Sequence, residues 1–268
     1  MRGVAMSRLV VFYLIAFAWS WGIWWPAVYF ESGAWQVPEW LPPAFSSGSM
    51  AAWGPLIGAI LVSLMYQGWA GLRDLAHRML KARIGLKWWA VALLMLPALL
   101  GVTWVIAGAL GADIPPSQAF AEPISIPFAF VWILFLGGPL QEEAGWRGIA
   151  TEDLQNKVSG IVAALVVGAL WGLWHLPLFQ LPSAGIYYDQ PFWGLFLSTM
   201  FLAVILSWIY NRTGGSLLAA MILHTSFNWA NFLFPVLETD LGGQIYFAGL
   251  ILICGAILWR DGLSLGRD

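Results

Sequence analysis

The sequence predicts an all-α, polytopic membrane helical bundle of about eight transmembrane helices with both termini cytoplasmic. Three observations predict it. The 268 residues are 60% hydrophobic and 10% charged, whereas a soluble domain is about 45–50% apolar and about 25% charged. Eight stretches lack Asp, Glu, Lys and Arg and are long enough for a helix to cross the hydrocarbon core, which takes about 20 apolar residues. All 12 Lys and Arg residues fall on one side when the chain is threaded through eight crossings.

The stretches are Leu9–Phe30, Trp40–Leu72, Trp88–Ala112, Pro123–Gln141, Val158–Tyr188, Gln190–Asn211, Thr213–Leu237 and Leu241–Trp259. A transmembrane barrel would show shorter alternating segments, so helices are expected. The first stretch follows Arg2 and Arg8 but shows no small-x-small cleavage site, so it reads as an uncleaved span. Arg2 and Arg8, then Arg73, Arg78, Lys81, Arg83 and Lys87, then Arg147 and Lys157, then Arg212, then Arg260 and Arg267 occupy successive inner segments. The outer loops carry only acids: Glu31, Glu39, Asp113, Glu122, Asp189, Glu238 and Asp240. This is the positive-inside pattern, and adding or removing one span scrambles it. The 19 tryptophans suit the headgroup level.

Connectors are short apart from Trp69–Lys87. There Leu72, Leu75, Ala76 and Met79 recur at helical spacing while Arg73, His77 and Lys81 line another face. That pattern predicts a basic amphipathic helix over 69–87 at the inner headgroups, with Asp74 one turn from Arg78. His77 reads as a surface residue. The proline-rich segment Pro38–Pro43 reads as an outer loop. No internal repeat or soluble domain is evident, so residues 1–268 read as a single domain. The single cysteine, Cys254, excludes an intrachain disulfide and a cysteine-rich metal site. The net charge of −2 argues against a nucleic-acid partner.

Ionisable groups deep in a bilayer cost about 2.5–3.5 kcal/mol or more each, so each demands a reason. Three clusters stand out, on helices expected over about 124–155, 159–180 and 214–235. The first is Gly137-Gly138-Pro139-Leu140-Gln141-Glu142-Glu143-Ala144-Gly145-Trp146-Arg147. Adjacent helix positions point about 100° apart at about 3.6 residues per turn. Glu143 and Arg147 share a face at i and i+4 and are expected to pair. Glu142 then faces elsewhere, available for proton chemistry. Pro139 is expected to open the helix a turn earlier. The second cluster places Trp171 one turn from His175, with Pro177 and Pro182 ending that helix. The third places His224 one turn from Asn228. Polar groups from three helices can converge in a bundle core. For Glu142 and His175 to meet, the fourth helix must run well past Glu142 toward Asp153, and the fifth must begin inside the cytoplasmic boundary.

These residues resemble the CPBP family of intramembrane endopeptidases, which includes the type II CAAX prenyl proteases and proteins grouped with bacteriocin self-immunity. Glu142, Glu143 and Arg147 match its Glu-Glu-x-x-x-Arg motif. His175 matches the end of Phe-x-x-x-His, with Trp171 where Phe is usual. His224 and Asn228 match His-x-x-x-Asn/Asp, and Gly54-Pro55 also resembles the family. The resemblance covers spans two to seven. It implies an eight-helix fold with a site open to the cytoplasmic side and no obligatory cofactor. It further implies that Glu142 with His175 activates a water for attack on a peptide carbonyl. His224 and Asn228 are then the oxyanion donors, and Glu143, Arg147 and Trp171 give support. The implied partners are the bilayer and a membrane-associated peptide or protein substrate, lipidated or not. A prokaryotic cytoplasmic (inner) membrane is the expected location.

Three other readings stand beside this one. Glu142, His175 and His224 are sufficient in number to hold a zinc with water in the fourth position, although no His-Glu-x-x-His helix is present. The scaffold is also compatible with a non-catalytic bacteriocin-immunity protein. A transporter also needs buried acid and imidazole, but inverted repeats are not detected. An aspartyl Gly-x-Gly-Asp motif is absent. Ser216 lies about 12 Å along the helix from His224, too far for a serine–histidine pair.

Overall fold

A computed structural model describes residues 2–267. Every regular element among them is helical. The longer helices are α1 (Arg2–Glu31), α2 (Gly54–Met79), α3 (Leu86–Ala109), α4 (Ser125–Leu136), α5 (Pro139–Gly145), α6 (Gly160–Trp174), α7 (Phe192–Arg212), α8 (Leu217–Leu233) and α9 (Asp240–Asp261). Of the basic residues counted above, the Arg2 side chain lies outside those described.

Among the described residues, seven helical stretches are long and apolar enough to cross a membrane: Ser7–Glu31, Ala51–Met79, Leu86–Ala109, Ser125–Gln155, Gly160–Gln180, Phe192–Arg212 and Asp240–Ser264. The protein is an integral membrane protein. The eighth expected span is α8, which has 17 residues and therefore rises only about 25 Å. Gly214 and Gly215, at φ +61° and +83°, turn the chain before α8, and the Ser216 hydroxyl caps it by accepting from the Ala219 N–H. Pro235 opens the 3₁₀ turn beyond its end. Residues Leu217 and Ala219–Ser226 of α8 are buried, packed against α3 and α4. A helix sheathed by protein does not itself have to match the bilayer thickness.

The chain clusters into two compact units. One comprises residues through Ala76, Gln141–Val158 and Val162–Met200; the other comprises His77–Leu140, Ser159–Ile161 and residues from Phe201 on.

In the first unit α1 is the central packing surface. The Gly54-Pro55 pair has a steric reason. A Cβ at Gly54 would collide with Ser20 Oγ and the Ala16 carbonyl, so glycine lets the start of α2 lie directly on α1. Pro55 in turn lies under Gly145, where a Cβ would sit 2.7 Å from the Pro55 carbonyl oxygen, 2.8 Å from its Cβ and 2.9 Å from Phe12 Cε2. These atoms belong to packed backbone and a buried ring. Gly145→Ala is therefore expected to destabilise the protein by about 1–3 kcal/mol, read as a lower thermal midpoint in detergent; an unchanged midpoint contradicts the contact. At the far end of the same stretch, Arg8 grips the Asp153 carboxylate with two bonds, Nε to Oδ2 at 2.8 Å and Nη2 to Oδ1 at 2.5 Å. Its Nη1 donates to Gln67 Oε1 at 2.9 Å.

The amphipathic segment expected over 69–87 begins after Gly68, which breaks α2 at φ +63°, and closes at Met79. Residues 80–85 are irregular. Gly85, at φ +83°, precedes α3, so Lys87 starts the next helix instead of ending this one. The linker is tied down in the second unit, where Lys81 Nζ donates to the Gly214 carbonyl and Ser216 Oγ donates to the Lys81 carbonyl, both at 2.7 Å.

Candidate active site

The stretch from Ser125 to Gln155 runs well beyond Glu142, as a meeting of Glu142 with the His175 helix requires. Its interruption falls at Gly137-Gly138, immediately before Pro139. α4 ends at Leu136, Gly138 takes φ +113°, and Pro139 is the first residue of α5. Glycine supplies the turn, and proline sits where a helix has no N–H to lose. The break exposes the Gly137 carbonyl, which accepts a hydrogen bond from Asn228 Nδ2 at 3.1 Å. The neighbouring Trp229 Nε1 donates to the Ile126 carbonyl at 2.9 Å. Asn228 thus secures the backbone five residues before Glu142 in the chain.

After Gly145 the helix loosens into a π-helical turn, Trp146–Thr151, all of it buried. Such turns concentrate at functional sites, because the wider winding re-aims side chains without ending the helix. Arg147 lies in this turn and is fully buried. Its Nη1 donates to Glu143 Oε1 at 3.0 Å, and neither side chain is exposed. The i, i+4 spacing anticipated this pair.

Glu142 is 5% exposed and is held differently. The indole Nε1 of Trp171 donates to its Oε2 at 2.5 Å. Trp171 is on α6, and its ring faces the Arg147 guanidinium, with Cζ 4.8 Å from the ring centroid. The backbone carbonyl of Trp171 lies 2.9 Å from His175 Nδ1. A carbonyl only accepts, so Nδ1 carries the hydrogen, which in the neutral form of the ring leaves Nε2 as the acceptor. The α-helix stops at Trp174, and Leu176–Gln180, with Pro177 in its first turn, continues as a 3₁₀ segment. Pro177 follows the end of the α-helix, and Pro182 opens the next 3₁₀ turn. His175 is 6% exposed and meets the Trp174 ring edge-on at 4.8 Å. Trp174 is anchored in turn by Trp24, 4.6 Å away, and by its carbonyl, which accepts from Trp21 Nε1. Glu142, Glu143, Arg147, Trp171 and His175 therefore form one connected cluster in the first unit. His224, also buried, and Asn228 lie one turn apart on α8 in the second unit.

Tyr187 is a neighbour that the sequence reading missed. It belongs to the turn Pro182–Tyr187, and its ring lies 5.8 Å from that of His175 and 5.8 Å from Phe179. Burial pushes its phenol above the ordinary value and the Glu142 carboxylate pushes the same way, so the hydroxyl stays protonated and able to donate. No helical spacing connects a loop tyrosine to a motif on another element, so only the fold reveals it. Among the described residues no three or more His, Cys, Asp or Glu side chains are grouped so as to hold a metal ion.

Two comparisons bear on this arrangement. The family model described as type II CAAX prenyl endopeptidase Rce1-like matches residues 124–230, an interval that contains every motif residue from Glu142 to Asn228. Over 198 residues the chain is 29% identical to CAAX prenyl protease 2 of Methanococcus maripaludis, an alignment covering 70% of this chain and 72% of that protein.

Proposed function

We propose, from the premise that this chain is a CAAX-protease-like membrane peptidase of the Rce1-like type, that it hydrolyses a peptide bond of a membrane-associated substrate with a water activated by Glu142 and His175. One observation carries the reading. The motif acid and the motif imidazole are both buried and are joined through a single intervening residue, Trp171.

The steps follow from the groups available. Glu142 takes a proton from water as the oxygen attacks the peptide carbonyl. The carbonyl oxygen becomes an oxyanion, and His224 and Asn228 are assigned its stabilisation through ring and amide N–H donors; losing one such donor costs about 10²–10³ in rate. The same proton then passes from Glu142 to the leaving amine, either directly or by way of His175, whose Nε2 takes it from Glu142 and hands it on while Nδ1 stays bonded to the Trp171 carbonyl. The C–N bond breaks, giving a carboxylate and a free amine. Glu143 and Arg147 neutralise each other and hold the π-helical turn in place. No step passes through a metal.

The substrate class follows from the relative's name: a peptide ending in a prenylated CAAX sequence is the first candidate. The orientation with both termini inside a prokaryotic cytoplasmic membrane rests on the one-sided distribution of Lys and Arg. The test is cleavage of a prenylated C-terminal peptide and its unprenylated counterpart by purified protein in lipid nanodiscs, followed by mass spectrometry. His175→Ala is expected to reduce kcat by about 10²–10⁴, and wild-type activity is expected to survive a chelator. Abolition by chelator with recovery on added zinc overturns the metal-free mechanism. Full activity of His175→Ala overturns the role of the imidazole.

A further inference from the structure

We infer that Trp171 is the positioning residue of the reaction, because it holds both members of the Glu142–His175 pair at once. The inference rests on the reading of that pair as catalytic. The indole N–H donates to Glu142 Oε2 at 2.5 Å, and the backbone carbonyl of the same residue holds His175 Nδ1 at 2.9 Å. One residue therefore sets where the carboxylate sits and which ring nitrogen of the histidine is left as acceptor.

The indole is itself immobilised. The Arg147 guanidinium lies against its ring at 4.8 Å, and Arg147 is fixed by Glu143 at 3.0 Å. The result is a buried series: Glu143, Arg147, Trp171, Glu142. It separates the two adjacent acids by task. Glu143 takes the direct ion pair. Glu142 takes a bond from a neutral donor, which orients a carboxylate without setting a full positive charge on it. The cation acts on the indole face, where its interaction is with the ring quadrupole. Phenylalanine in its place has no donor and cannot make the bond to Glu142. The tryptophan here is more than an aromatic platform.

The test compares Trp171→Phe with Trp171→Leu. Phenylalanine keeps an aromatic face for Arg147 and removes only the N–H and some volume; leucine removes both functions. Loss of a hydrogen bond to a charged group predicts that Trp171→Phe lowers kcat by about 10–100-fold, with KM within about twofold because substrate binding is not the interaction removed. Wild-type kcat in Trp171→Phe, with a loss only in Trp171→Leu, overturns the inference and leaves Trp171 a packing residue. If Trp171→Phe fails to fold, 3-benzothienylalanine at position 171 replaces the N–H by sulfur with the shape kept, and its kcat decides by the same standard. Adding Trp171→Phe to Glu142→Gln separates the two readings. No further loss in the double variant is the expected result, and a full additional loss overturns action through Glu142. Wild-type activity in Glu142→Gln alone sinks the catalytic reading itself, whereas an inactive Glu142→Gln beside a fully active Trp171→Phe sinks only the positioning role.

Discussion

Glu142→Gln abolishes hydrolysis on this account, lowering kcat by about 10³-fold or more, near the upper part of the range for general acid–base groups. The substitution changes little else. Glutamine keeps a carbonyl oxygen to accept the Trp171 N–H, keeps the volume in a site that is 5% exposed, and removes only the ability to take a proton. Thermal stability in detergent should therefore stay close to wild type. The measurement is single-turnover cleavage of a C-terminal peptide beside a melting curve. Cleavage at the wild-type rate ends the assignment of Glu142, whatever the melting curve shows.

Arg147→Leu produces the largest loss of stability. Arg147 and Glu143 are both fully buried and bonded to each other, so removing the cation strands a carboxylate in a low-dielectric interior. Breaking such a pair costs about 3–5 kcal/mol, and the contact with the Trp171 face adds about 0.5–2 kcal/mol. The expected outcome is a collapse in monodisperse yield after detergent extraction and a sharply lower melting temperature. The double replacement Glu143→Leu with Arg147→Leu should recover much of that stability, since an apolar pair of similar size often substitutes for a buried ion pair at little cost. It should not restore the full rate, because Trp171 then lacks the cation that holds its ring. An Arg147→Leu protein that melts like wild type contradicts the energetic role of the pair.

Legibility depended on how local each cause was. The Glu143–Arg147 pair was readable because an α-helix places i and i+4 on one face, and the bond closes within a single turn. The helical spacing of the amphipathic segment was readable from Leu72, Leu75, Ala76 and Met79, and α2 breaks just before it at Gly68, φ +63°. Its end was not, because Gly85 and the bonds from Lys81 and Ser216 close the segment early. Pro139 was read as the site of the helix opening. The structure moves the opening to Gly138, since a positive φ ends a helix more sharply than a proline that can begin the next one. Trp171 was noted as an aromatic exception, but its donor role depends on where Glu142 lies across the cluster. Tyr187 carried no signal at all.

By itself the sequence determined the solvent and the inventory: an apolar helical chain for a membrane, and an acid pair, an arginine, two histidines and an asparagine spaced one turn apart within their helices. Those properties follow from composition and from a periodicity of a few residues, which the chain carries locally. Tertiary packing alone decided that α8 is sheathed by α3 and α4, that Asn228 secures the broken helix at Gly137, and that the Trp171 indole bonds Glu142. Those bonds join residues far apart in the chain, and their geometry exists only once close glycine contacts such as Gly54 and Gly145 have let the helices approach.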